Sequence, residues 1–179
     1  YINGGDECDV QGLFGAVGGG ARISNVAVTG SINAADDLGG IVGMVCGGAA
    51  VIDNCLSRVA ITKSADADDY GAYNAGGIVG EVRNYGSASE LGVAMITDCI
   101  FSGTITGSFT SYGYPSEDGG IIGYSDANHV FCENCYYLQG SYNSDFAAGT
   151  ALPADVLDTY VSEWSGRLSC SHMGDTGAS

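Results

Sequence analysis

A chain of 179 residues is long enough for one domain with a sizeable core, and its 45% hydrophobic content argues against disorder. Thirty glycines against 2 prolines point to tight turns and close backbone approach in a repetitive β structure rather than to a flexible linker. With 21 acidic and 5 basic residues the net charge is −16, which leaves no electrostatic basis for nucleic acid or an anionic membrane, and no apolar run is long enough to insert into a bilayer.

Residues 1–11 carry glycine, acid and Cys8 without clear periodicity and read as a lead-in segment or an incomplete unit. From Gly12 onward one pattern returns. Gly12-Leu13-Phe14-Gly15 is followed by Ile23-Ser24-Asn25-Val26, and Gly39-Gly40-Ile41-Val42-Gly43 by Ile52-Asp53-Asn54-Cys55. Gly76-Gly77-Ile78-Val79-Gly80 is followed by Ile96-Thr97-Asp98-Cys99, and Gly119-Gly120-Ile121-Ile122-Gly123 by Cys132-Glu133-Asn134-Cys135. The last glycines are 28, 37 and 43 residues apart (43−15, 80−43, 123−80), so the blocks are constant while the inserts grow. Constant blocks with variable inserts are expected of stacked units whose loops lie to one side. The short β-branched runs bounded by glycine and polar turns are strands. A unit that cannot bury its own apolar faces must stack on its neighbours, so the fold class expected is all-β, a right-handed parallel β-helix (solenoid) of about four rungs over residues 12–146.

Stacking makes aligned positions into ladders, with rungs about 4.8 Å apart. Asn25, Asn54, Asp98 and Asn134 form one such ladder at a turn, where each side chain can bond backbone groups that the turn leaves unpaired. Val26, Cys55, Cys99 and Cys135 share the next position, which reads as a small buried hydrophobe. Ile23, Ile52, Ile96 and Cys132 form an inward-pointing ladder of their own. After the divergent last unit, residues 147–168 hold a helix beginning near Pro153, with Thr150 as an upstream capping residue. Its apolar Val156, Leu157, Tyr160, Val161, Trp164 and Leu168 recur at three- and four-residue spacing, and the helix is expected to cap the last exposed rung. Residues 169–179 read as a frayed polar tail.

The Gly-hydrophobic-hydrophobic-Gly block, then Ile-x-Asn-Cys, then Gly-x-Ile, resembles the GLUG motif. Repeats of this kind occur in bacterial surface proteins, including the non-catalytic region of immunoglobulin A peptidases and adhesin-like proteins. The resemblance spans about Gly12 to Leu168 and implies a scaffold without catalytic residues to carry over. The long insert around Gly86 to Gly92 and the acidic tyrosine-rich loops are not part of that motif.

Several residue sets suggest chemistry. Seven cysteines, Cys8, Cys46, Cys55, Cys99, Cys132, Cys135 and Cys170, permit disulfides outside the cytosol, and the odd number leaves one thiol over. His129, Cys132 and Cys135, with Cys170 and His172, have spacing compatible with zinc, but Cys132 and Cys135 occupy ladder positions taken elsewhere by isoleucine and valine. Asp66, Asp68 and Asp69, with the Asp36-Asp37 and Glu117-Asp118 pairs, are candidate calcium ligands, although no EF-hand-like loop is present and acids also serve solubility. Tyr70, Tyr73, Tyr112 and Tyr114, with Tyr85, could stack on sugars or pack their loops on the sheet. Arg22, Arg58, Lys63, Arg83 and Arg167 form no cluster adjoining acids on equivalent rungs, so a polysaccharide-active enzyme would rest on fold analogy alone. The absence of a charged-then-apolar leader and the first residue, Tyr1, suggest a processed secreted protein or a segment of a longer one. The function expected is a non-enzymatic structural or interaction module, extracellular or at the cell surface, that self-associates into filaments or binds other surface proteins. Its alternative is a glycan-binding adhesin.

Overall fold

Side-chain alternation sets the strand faces. In Leu56–Lys63, Ser57, Val59, Ile61 and Lys63 are buried and Arg58, Ala60 and Thr62 are exposed, so every second residue points into the protein. The structure, a computed structural model, describes residues 2–5, 10–64, 74–83, 87, 89–107, 110–111, 114–115, 117–125, 127–140 and 148–173; side chains are described within 10–64, 74–83, 87, 89–107, 117–125, 128–140 and 148–167.

The described strands form four parallel sheets and one small antiparallel pair, Thr110–Ser111 with Tyr114–Pro115. The chain visits the sheets in a fixed order. The first sheet holds Val10–Gln11, Asp37–Gly39, Ala75–Gly76 and Asp118–Gly119; the second holds Phe14–Val17, Val42–Val45, Val79–Val82 and Ile122–Tyr124. The third holds Ala21–Ser24, Gly48–Asp53, Gly92–Thr97 and Val130–Glu133. The fourth runs through Ile2–Gly5, Ala27–Ala34, Leu56–Lys63, Ile100–Phe101, Tyr136–Leu138 and Thr150–Leu152, with Thr104–Thr106 also paired to Leu56–Lys63. Each sheet is thus a stack of equivalent strands from successive repeats, in an all-β, solenoid-like arrangement with one C-terminal helix. Residues 2–5 and 10–11, read as lead-in, already carry strands of the stack, with Ile2 opposite Ile32 and Val10 opposite Asp37.

The sequence register is the observed one. Ile23, Ile52, Ile96 and Cys132 are direct partners up the third sheet, and Ile52 and Ile96 are fully buried. Burial of this column, with Ile41, Ile61, Ile78, Ile121 and Phe101 from the other sheets, makes one continuous core.

The repeated glycines have two separate duties. A Cβ on Gly39 would overlap the carbonyl of Val42 and come within 2.7 Å of Gly80 N; on Gly80 it would meet the Leu38 backbone at 2.8 Å, and on Gly123 the Ala75 backbone at 2.8 Å. These glycines let the first and second sheets lie backbone against backbone. The second glycine of each pair makes room for a side chain of the fourth sheet: Ser57 at Gly40, Phe101 at Gly77 and Tyr137 at Gly120, three residues of a single column.

Helix α1 (Ala154–Met173) differs from expectation in three respects. Thr150 does not cap it, because Thr150 lies in a strand opposite Tyr136, and the first turn closes instead with Leu157 N donating to Pro153 O. The helix continues past Leu168 to Met173. Its buried Leu157, Val161 and Trp164 pack on Leu56 and Ile100, with Tyr136 beside them. Leu56, Ile100 and Tyr136 are register partners on three successive levels of the fourth sheet, so the helix covers a flank of the stack rather than its end. The last core level is met instead by Ala148, which is buried in the core, and by Gly149, whose position lies against Ile121.

Candidate functional site

At the corner between the third and fourth sheets the chain turns through Asn25, Asn54, Asp98 and Asn134, with φ of 59°, 49°, 52° and 53°. Asn and Asp tolerate this left-handed conformation better than other non-glycine residues, which is the local reason for their recurrence. The turn amides do not depend on their own side chains. Asn25 N donates to Asp53 O, Asn54 N to Thr97 O and Asp98 N to Glu133 O on the next level. The side chains are therefore released for other contacts: Asn54 Nδ2 donates to Asn25 Oδ1 at 2.6 Å, and beside them Thr97 Oγ1 donates to Asp53 Oδ1 at 2.7 Å.

The next position is the thiol ladder. Ile100 N donates to Cys55 O and Tyr136 N to Cys99 O, which places Cys55, Cys99 and Cys135 in one column. All three are buried and unbridged, and each sulfur lies 3.1–3.3 Å from the carbonyl oxygen two residues earlier, at Asp53, Thr97 and Glu133. Cys99 is pushed well above the usual thiol range by its contacts with Cys135 and Cys55, reinforced by burial. Cys132, also free, is raised by its contact with Cys135 and then by burial. A column of buried, unbridged cysteines packed on carbonyls is a core feature. Among the described residues no group of three or more His, Cys, Asp or Glu side chains is placed to hold a metal ion. The structure does not test the zinc set as a whole, because the side chains of Cys170 and His172 lie outside the described residues.

The acid pairs separate. Asp118 is bound by Lys63, with Nζ at 2.6 and 2.7 Å from its two carboxylate oxygens, in a buried ion pair. Burial lowers the Lys63 pKa and raises that of Asp118, while each charge opposes the shift of the other. Asp37 accepts from Asn74 Nδ2 at 2.9 Å and faces Glu81, which is 1% exposed. Burial first, and then the Glu81 carboxyl, push Asp37 up to about 10, so Asp37 is held protonated beside Glu81. The sequence contained a signal for Lys63, since alternation from Val59 and Ile61 puts it on the inner face. The partners of Asp37 and Asp118 had none.

Asp66, Asp68, Asp69, Tyr70, Tyr73, Tyr85, Tyr112 and Cys8, together with the side chain of Tyr114, lie outside the described residues. One cleft that the sequence did not suggest is formed where α1 crosses the turn column. It has a volume of about 160 Å³ and is lined by Asp98, Asn134, Tyr136, Tyr160, Glu163 and Arg167, with Ile100 at its base. The Tyr136 and Tyr160 rings stand 4.4 Å apart at 38°. Elsewhere two apolar regions face outward: Val93, Met95 and Phe131 on the third sheet, and Leu13 (46% exposed) with Phe14 (41%) at the first level.

Compared with protein-family models, curated proteins and solved structures, the chain matches none.

Proposed function

We propose that the chain is a structural and interaction module of a bacterial surface protein, a GLUG-like right-handed parallel β-helix that self-associates through its first level and does no chemistry. The observation that carries this reading is the open first level. Among the described residues, Val10–Gln11, Phe14–Val17 and Ala21–Ser24 each pair on one side only. Unpaired strand edges are templates for another chain. Beside them Leu13 and Phe14 are exposed, and a cavity of about 150 Å³ opens among Leu13, Val28, Ile32, Gly40 and Val59. Among the described residues, Asp118–Gly119, Ile122–Tyr124 and Val130–Glu133 at the other end also pair on one side only, but there Gly149 lies against the core at Ile121 and no exposed pair like Leu13 and Phe14 adjoins the edge.

In this reading the module works outside the cell or at its surface. Its assembly draws its energy from edge pairing and apolar burial against the repulsion of a −16 charge, so it strengthens as salt is added. Sedimentation velocity and electron microscopy over a concentration series test it. The wild-type chain should form oligomers or filaments in moderate salt, and the double substitution Leu13→Glu, Phe14→Glu should leave folded monomers. A wild-type chain that stays monomeric throughout refutes the reading.

A further inference from the structure

We propose that the cleft between α1 and the Asp98–Asn134 turns is a carbohydrate site that holds one pyranose ring. At lower levels the turn column is closed on itself, because Asn54 donates to Asn25 at 2.6 Å. One and two levels further on, the same column opens under the helix. Among the described residues no hydrogen bond or ion pair engages the side chains of Asp98, Asn134, Glu163 or Arg167, although all four converge on the cleft. Tyr160, Glu163 and Arg167 are three and four residues apart and so share one helix face. That face borders the stripe of Leu157, Val161 and Trp164 that fixes the helix to the sheet. The site is thus held by the packing of the helix.

The mixture of groups selects the ligand class. Carboxylates only accept hydrogen bonds, a guanidinium only donates, and an amide and phenols do both. An organic cation would satisfy Asp98 and Glu163 but be repelled by Arg167, and an anion would meet two carboxylates. A vicinal diol donates to a carboxylate and accepts from arginine or amide at once, and so can satisfy the whole set. The tyrosine pair supplies an apolar wall for the C–H face of a sugar. A volume of about 160 Å³ corresponds to roughly five waters at ~30 Å³ each, the scale of a single ring and below the usual range for drug-sized ligands. The site is independent of the first-level edges and of the tyrosine loops.

The experiment is a ¹H–¹⁵N NMR titration of the full chain with methyl glycosides of glucose, galactose, mannose and fucose, alongside lysine methyl ester and sulfate. At least one glycoside should shift the amides of Asp98, Ile100, Tyr160 and Arg167 saturably, with a dissociation constant in the millimolar range. Glu163→Ala and Arg167→Ala lie at exposed helical positions where alanine preserves the helix. Each should weaken binding about tenfold or more, the scale of a lost hydrogen bond to a charged group. Asn54→Asp, in the same column at a closed level, should leave binding unchanged. The proposal is overturned if no glycoside shifts these amides, if lysine ester or sulfate shifts them more strongly, or if binding survives both helix substitutions. It is also overturned if binding is lost on Tyr112→Ala while Arg167→Ala leaves it intact, since the sugar would then sit on the tyrosine loop.

Discussion

Replacing Gly76 with alanine tests the close approach of the first two sheets. A Cβ there would overlap the Val79 carbonyl oxygen and come within 2.6 Å of Gly123 N and 2.7 Å of Val79 C. All of these are backbone atoms, so no rotamer change relieves the overlap and the sheets must move apart. Overpacking costs about 1–3 kcal/mol, towards the upper end where backbone has to shift, against a gain of about 0.4–1 kcal/mol from a stiffer unfolded chain. A net loss of about 2 kcal/mol lowers Tm by roughly 4–8 °C in a domain of this size. Gly15→Ala is the control, because its Cβ meets only Val10 O, at an ordinary 3.8 Å. It should melt at or slightly above the wild type. Differential scanning calorimetry of the three proteins decides the matter: if Gly76→Ala and Gly15→Ala melt together, the glycines are not there to let the sheets touch.

Ile52→Asp places an unpaired charge at a fully buried position, a cost of several kcal/mol against a total of about 5–15, so circular dichroism should show an unfolded chain at 25 °C. Asp37, raised from 3.8 to about 10, keeps its proton in the fold but loses it in the unfolded chain. Its stabilising contribution is therefore full below about pH 4 and is lost as pH rises towards 10; urea midpoints should fall across that window, and Asp37→Asn should flatten the slope. Cys55, Cys99 and Cys135, buried and unbridged, should resist alkylation in the native protein and react fully in denaturant; a Cys55–Cys99 bridge found by mass spectrometry would contradict the column. Gly166 stands within α1 with nothing near its Cβ position, so Gly166→Ala should stabilise by up to about 1 kcal/mol in the same melts.

What the sequence alone determined is whatever is local or periodic. Repeated blocks imply repeated strands, and alternation assigns faces. An Asn or Asp recurring at one offset marks a turn that needs a left-handed residue, and the ladders of Ile52 and Cys55 follow from the register of identical units. The sequence also located the helix, but not what it rests on, because apolar spacing describes a face without naming the surface that receives it. Only the tertiary structure decided that Leu157 and Trp164 lie on Leu56 and Ile100, leaving a cleft beside Asp98 and Asn134. It likewise decided that Lys63 finds Asp118 across 55 residues and that Asp37 meets Glu81 between two sheets. Such pairs depend on which faces of a closed stack meet, a non-local property that one-dimensional periodicity does not contain.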